Sequence, residues 1–463
     1  MAALDTSFSA RPKIDPTRRR SRSAPRQIEV PDTPDTPGNP AHREWALAGL
    51  EAPDLDVIRA YRLERIREQL RTRDFGGAIL TDPLNVRYAT DTSNMQVWCL
   101  HNPVRYAYVA TEGPVIVFDF HACEHLSDHL PLVTESRPAT AWFYFESGDE
   151  EQHHAEHWAE EIVGLVSQFG GGNSRIAIDK CDPIGLAHLE RLGLECTVSQ
   201  AFTEHARRIK HAEELKAMQR SINTTEVAMA EMWHTLQRHY PHGLPLTENQ
   251  IWAILHKVNI ERGGEWIETR LLASGPRTNP WFHESSDRIM QVGEMLAFDT
   301  DLVGPYGYCA DVSRSWVIPD NAPTDEQTAL IDLAIEQVAF NRDLLRPGIT
   351  HRELTEKSFQ LPPDCINGRY GVVIHGVGLC DEYPSIRYRE DWDHCGYDGV
   401  IEEGQCLCVE SYVGRDGGAE GVKIEVQGVV TETGFEVFDR FPLDLVPDIP
   451  DDPGAIGTLP PVL

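Results

Sequence analysis

Five stretches in the C-terminal half each set ionisable groups into a run of apolar, strand-forming residues: LAFDTDLV, YCADVSRSW, VIHGVG, CVESY and VKIEVQG. They carry Asp299 and Asp301, Asp311, His375, Glu410 and Glu425 in turn. Runs of this kind read as buried strands, so the polar groups go inside with them. In an extended LAFDTDLV segment, Asp299 and Asp301 face one side while Phe298, Thr300 and Leu302 face the other. Burying an ionised carboxylate unpaired is costly, so a fold that buries five must bring them to compensating positive charge. Nearby in sequence, only Arg314 and Lys423 offer it. Divalent metal is the economical answer. Carboxylates with one imidazole suit Mn, Fe, Co or Zn rather than Ca alone. Two bridged ions absorb this much charge better than one.

The rest of the 463-residue chain is long enough for more than one core. Residues 1–45, with RRRSRSAPR and VPDTPDTPGNP, read as a flexible N-terminal arm, and ordered structure is expected from near Asp54. Arg18, Arg19 and Arg20 could pair with the acidic body or a partner subunit. Residues 46–205 alternate helices (DLDVIRAYRLERIREQLRTRDF, HHAEHWAEEIVGLVSQF, IGLAHLERLG) with strands (GAIL, VIVFDF, RIAIDK, CTVSQAF), which predicts an α/β domain. Residues 206–445 begin with two helices and continue mainly as strands, which predicts an α+β domain. Residues 446–463 read as a tail.

Composition narrows the partners. A formal net charge of −31 argues against nucleic acid and anionic membrane surfaces. No apolar run approaches the roughly 20 residues of a membrane span, and no secretory signal is visible, so a cytoplasmic protein is expected. Ten scattered cysteines with no C-x-x-C pair read as buried free thiols.

The Asp-Asp-His-Glu-Glu series resembles the ligand set of the creatinase/methionine aminopeptidase, or pita-bread, metalloenzymes in their two-domain prolidase-like form. NVRYATD resembles that family's N-domain strand and IKHAEELKAM the start of its interdomain helix. The resemblance covers about residues 54–445. It implies a pita-bread catalytic domain and metal ligands at Asp311, His375, Glu410 and Glu425. Asp311 lies twelve residues after Asp299 and ten after Asp301, on either side of the family's usual spacing, so both are carried.

The family's peptidases place a second histidine shortly after the metal histidine, and here Asp381 of HGVGLCDEYP stands in that place. A carboxylate beside a metal centre is suited to accept a proton. One branch shares this exchange, the dimethylsulfoniopropionate lyases of the DddP type. This chain is similar to them in KIDPTR, ERGGEWIETRLLASGPRTNPWF, FDTDLVG and HGVGLCDE. The resemblance implies a homodimer that cleaves a small zwitterionic sulfonium to dimethyl sulfide and acrylate, with Asp381 as base.

Aromatic faces hold cations, which makes Trp98, Trp281 and Tyr306 substrate-binding candidates and adds Tyr370 for the carboxylate. Trp98, in the N-terminal domain, would reach a site across a domain or dimer boundary. His283 falls where the peptidases keep a substrate-side histidine. The alternative is an Xaa-Pro dipeptidase, aminopeptidase or related amide hydrolase of the same fold. A metal-free binding protein predicts lost ligands, and none is missing.

Overall fold

The computed structural model describes residues 33–463. Arg18–Arg20 and most of the expected arm lie outside the described residues. The first half builds a six-stranded sheet from β1 (Gly77–Leu80), β2 (Tyr106–Ala110), β3 (Val115–Asp119), β4 (Glu135–Pro138), β5 (Arg175–Ile178) and β6 (Glu195–Val198), in the order β4-β3-β2-β1-β5-β6. Its central strands are buried on both faces. One side packs Ile79, Phe118 and Ile178 against Trp158 and Ile162 of the Glu151–Phe169 helix. On the other, Ala78, Leu80 and Val109 belong to a core that also holds Val377, Leu379 and Cys408 of the second half, so both domains share it.

The second half forms two antiparallel sheets. The smaller is β11 (Ser313–Val317), β8 (Met295–Asp299) and β7 (Leu272–Ser274), with a short β9–β10 ribbon (Leu302–Val303, Cys309–Ala310) beside it. The larger is β13 (Asp381–Ile386), β12 (Ile374–Val377), β14 (Cys406–Gly414), β15 (Gly421–Thr431) and β16 (Gly434–Val437), in that spatial order. Strand alternation explains where the site lies. On β14 and β15, Leu407, Val409, Val422, Ile424 and Val426 join the core that also holds Leu330 and Val338 of the Asp325–Leu344 helix. Cys408, Glu410, Lys423 and Glu425 therefore point the other way. On β8, Leu296 and Phe298 pack with Val227 and Trp233 of the Ala212–His239 helix, and Asp299 takes the opposite face. The two sheets are joined where the Ser315 hydroxyl donates to the Lys423 carbonyl (2.9 Å) and accepts from its amide (2.9 Å).

Three expectations are corrected. NVRYATD lies in the helix Pro83–Thr90, not in a strand. Asp82 caps that helix by accepting from the Leu84 amide, and Pro83 opens its first turn, so the start signal outweighs the β-branched content. CTVSQAF is divided: β6 ends at Val198 and a helix begins at Ala201. Order does not wait for Asp54. Residues Pro40–Leu47 form a helix capped by Asn39, with Trp45 buried, its indole N–H donating to the Arg220 carbonyl (3.2 Å). The tail is anchored as well, since Ile456 joins the core around the Ala212–His239 helix.

Candidate active site

Asp299 ends β8, and the chain then leaves the strand through Asp301, whose φ of 35° is left-handed. The extended arrangement expected for this pair is therefore corrected to a turn. The turn is held by Thr300, whose hydroxyl donates to the Ala310 carbonyl (2.9 Å) and accepts from the Val312 amide (3.0 Å). Both carboxylates still reach Asp311, with donor oxygens of all three within 4.8 Å of one another. Asp311 also belongs to a second group with His375, Cys408 and Glu425, closed within the same 4.8 Å.

Pairing register supplies the rest. His375 on β12 stands opposite Cys408, and Glu410 stands directly opposite Glu425. Like charges facing across a ladder repel, so this register needs a cation between them. His375 Nε2 lies 3.2 Å from Glu410, 3.4 Å from Asp311 and 3.5 Å from Glu425. Lys423, fully buried, sets its ammonium 2.6 Å from Glu410, 3.1 Å from Asp299 and 3.3 Å from Glu425. Arg314 turns away, donating to the carbonyls of Phe441 (2.8 Å) and Glu425 (2.8 Å). The six residues expected to bind metal thus converge, and Lys423 joins them.

The electrostatics are those of a site with too much negative charge. Burial, reinforced by neighbouring carboxylates, pushes Asp301 and Asp311 well up. Burial also lifts Glu410 to about 7. Burial works against the charge on His375 and Lys423, but the surrounding acids hold both protons on. Glu425 goes the other way: despite its burial, Lys423 and His375 hold it low. Two buried oxygens, Asp311 Oδ1 and Glu425 Oε1, have no hydrogen-bond partner. Unpartnered carboxyl oxygens in an oxygen-rich cluster with one imidazole fit divalent metal ions.

Asp381 opens β13 beside a bulge between His375 and Gly376, and its carboxylate lies 3.6 Å from His375 Nδ1 while remaining 59% exposed. It therefore stands at the mouth of the cluster, the place for a group that must meet a small molecule. Glu268 is near it: burial first, then Asp381 and Asp82, lift that carboxyl to about 7.

The aromatic candidates divide. The Tyr370 ring covers the Lys423 ammonium at 4.5 Å and stacks on Phe282 at 5.3 Å. Trp281 lies beneath it, buried, with its ring on Tyr412 at 6.0 Å. Tyr306 is placed elsewhere. Its hydroxyl meets Arg220 (2.9 Å) and Thr33 (3.3 Å), and its ring faces Trp45 at 6.0 Å. His283 Nδ1 faces the Arg277 carbonyl at 2.8 Å. Trp98 packs on Phe120, Phe143 and Phe145 of its own domain.

Sequence reading passed over Glu268 and the cations around Glu382. Arg207 and Lys210 lie far from Glu382 in the chain, and no local pattern links them. Lys423 had a signal, since it is two residues before Glu425 and shares its strand face.

This arrangement, two domains with a carboxylate-and-imidazole cluster between antiparallel sheets, defines a pita-bread metalloenzyme. Residues 216–432 match metallopeptidase family M24. The Xaa-Pro dipeptidase from Bacillus anthracis has the same fold at a TM-score of 0.64 and 18% identity, covering 83% of this chain and 98% of that one. The chain belongs, within that class, to the dimethylsulfoniopropionate lyase DddP family. It is 42% identical to the family member from Roseovarius nubinhibens, over 95% of this chain and 99% of that protein. With the member from Roseobacter denitrificans it shares 38% identity over 95% and 98%.

Proposed function

We propose that this enzyme cleaves dimethylsulfoniopropionate to dimethyl sulfide and acrylate, with Asp381 as the base. The observation that carries the reading is a carboxylate, not an imidazole, exposed at the mouth of the acidic cluster in a chain similar to DddP lyases over nearly its full length. Asp299, Asp301, Asp311, His375, Glu410 and Glu425 would hold two divalent ions, with iron the first to test among iron, manganese, zinc and cobalt. When bound, the metal supplies Lewis-acid stabilisation of charge developing on the substrate carboxylate.

The chain's own residues do the rest. Asp381 takes the proton from the carbon beside the substrate carboxylate. The electron pair of that C–H bond becomes the new C=C bond, the C–S bond breaks, and neutral sulfide leaves. Asp381 is then protonated and returns its proton to solvent, to which it is open. Tyr370, on the rim of the cluster, orients the substrate carboxylate, and Trp281 supports it from below. Trp98 belongs to a homodimer reading, in which it serves the partner's site across the interface and its ring faces the sulfonium. Ten free cysteines fit a reducing, cytoplasmic setting. The hydrolase alternative is weaker, because Asp381 stands in place of the second imidazole and the chain is similar to DddP lyases over nearly its full length.

Headspace gas chromatography of purified protein with dimethylsulfoniopropionate tests this directly. Dimethyl sulfide should appear, and Asp381→Ala should abolish it with metal content near wild type. Joint loss of metal and activity in Asp381→Ala would make Asp381 structural. Cleavage of Gly-Pro dipeptides without sulfide release would return the enzyme to the hydrolases.

A further inference from the structure

The residue after the proposed base is a second carboxylate with the opposite environment. Glu382 has a side chain 1% exposed, beside the open carboxylate of Asp381. Its Oε1 accepts from Arg207 Nε (2.9 Å) and from the Leu379 amide (3.1 Å), and its Oε2 accepts from Lys210 Nζ (2.7 Å). Burial opposes its charge, yet Lys210 and Arg207 hold the carboxyl below its ordinary value.

The backbone is built around this carboxylate. A Cβ on Gly378 would stand 2.5 Å from both Glu382 oxygens, so only glycine admits the approach. Arg207 also donates to Glu204 and to Asn85 Oδ1. Glu204 in turn accepts from the Tyr383 amide (2.9 Å). Asn85 donates to Asp179 Oδ2 (3.0 Å) in the N-terminal domain. Residues 379, 382 and 383 are thereby tied down on both sides of Asp381. The Asp381 carboxylate makes no hydrogen bond to any described residue and faces the His375 imidazole at 3.6 Å, so its aim depends also on the backbone that carries it.

We propose that Glu382, gripped by Arg207 and Lys210, is the positioning residue that fixes Asp381 for proton abstraction. This rests on the reading of Asp381 as the base. Glu382 touches neither substrate nor metal in this account; it acts through the neighbouring peptide. Holding a reacting group in place is where such a device matters, since a displacement of ~1 Å costs on the order of 100-fold in rate. A buried ion pair that served stability alone would lower the folded population and leave the rate per folded molecule alone.

The experiment is steady-state kinetics of the metal-loaded full chain on dimethylsulfoniopropionate, with melting temperature and metal content measured on the same samples. Glu382→Gln, which keeps shape and removes charge, should lower kcat by about 10- to 100-fold, with KM within about two-fold and metal content unchanged. Arg262→Met is the control. It breaks a buried pair with Glu44 (2.7 Å) away from this loop, and should lower the melting temperature while leaving kcat unchanged. A kcat for Glu382→Gln within about two-fold of wild type would overturn the proposal. So would an equal loss of kcat in Arg262→Met. If Glu382→Gln does not fold, Lys210→Met is read against the same criteria. Full activity in Asp381→Asn would instead remove the base assignment, whatever Glu382→Gln shows.

Discussion

Lys423 shows how the acidic cluster can fold before metal arrives. Its single ammonium is shared by Glu410, Asp299 and Glu425, but five carboxylates exceed what one lysine can neutralise. The remaining oxygens take up protons, which is why burial and repulsion push Asp301 and Asp311 up. Metal binding must displace those protons, so affinity falls with pH. Stripping metal with a chelator should lower stability by about 3 kcal/mol for each ion lost, relative to free metal at one hundred times Kd. That difference should shrink as pH falls, and calorimetric melting with and without chelator at several pH values measures it. The same residues mark what could be read early. Asp299, Asp311, His375, Glu410 and Glu425 were legible because a lone charged group in an apolar strand has few places to go. Arg207 and Lys210 were not, because their partner Glu382 is more than a hundred residues away in the chain.

Among the elements, the helix Pro40–Leu47 departs most from a reading by composition. Its neighbourhood is rich in proline and acid, which argued for an arm. What holds it most is one large side chain and a buried ion pair. Trp45 is buried with the Arg220 guanidinium 4.4 Å from its ring, and Glu44 accepts two hydrogen bonds from Arg262 (2.7 and 2.8 Å). Trp45→Ala should therefore cost about 3–5 kcal/mol in denaturant-induced unfolding, the usual range for emptying a buried aromatic site. An effect near zero would show that the helix is only loosely attached. The Pro83–Thr90 helix carries a similar lesson. Its Val86, Tyr88 and Thr90 favour strands, but a capping aspartate followed by proline decides the local conformation.

Across the whole molecule, apolar surface gathers around Trp98. Met95, Val97, Leu100, Tyr144 and Phe145 are all exposed, Phe145 by 75%. In the dimer reading given above, this patch is the surface that a second copy of the chain covers. Phe145→Asp should shift the protein toward monomer in sedimentation velocity and reduce dimethyl sulfide release with it. A wild type that sediments as a monomer at full activity would remove the dimer. Among the described residues, no helix is long and apolar enough to cross a membrane.

The sequence by itself determined the periodic part of this protein. Strand alternation and the cost of buried charge bring Asp299, Glu410, Glu425 and His375 to one side of their sheets, and helix signals place most of the α/β domain. Tertiary structure decided what depends on partners distant in the chain. It docked Trp45, turned Tyr306 toward Arg220, and surrounded Glu382 with two cations. Periodicity is a local property, whereas the burial of a particular side chain is fixed only when separate elements meet.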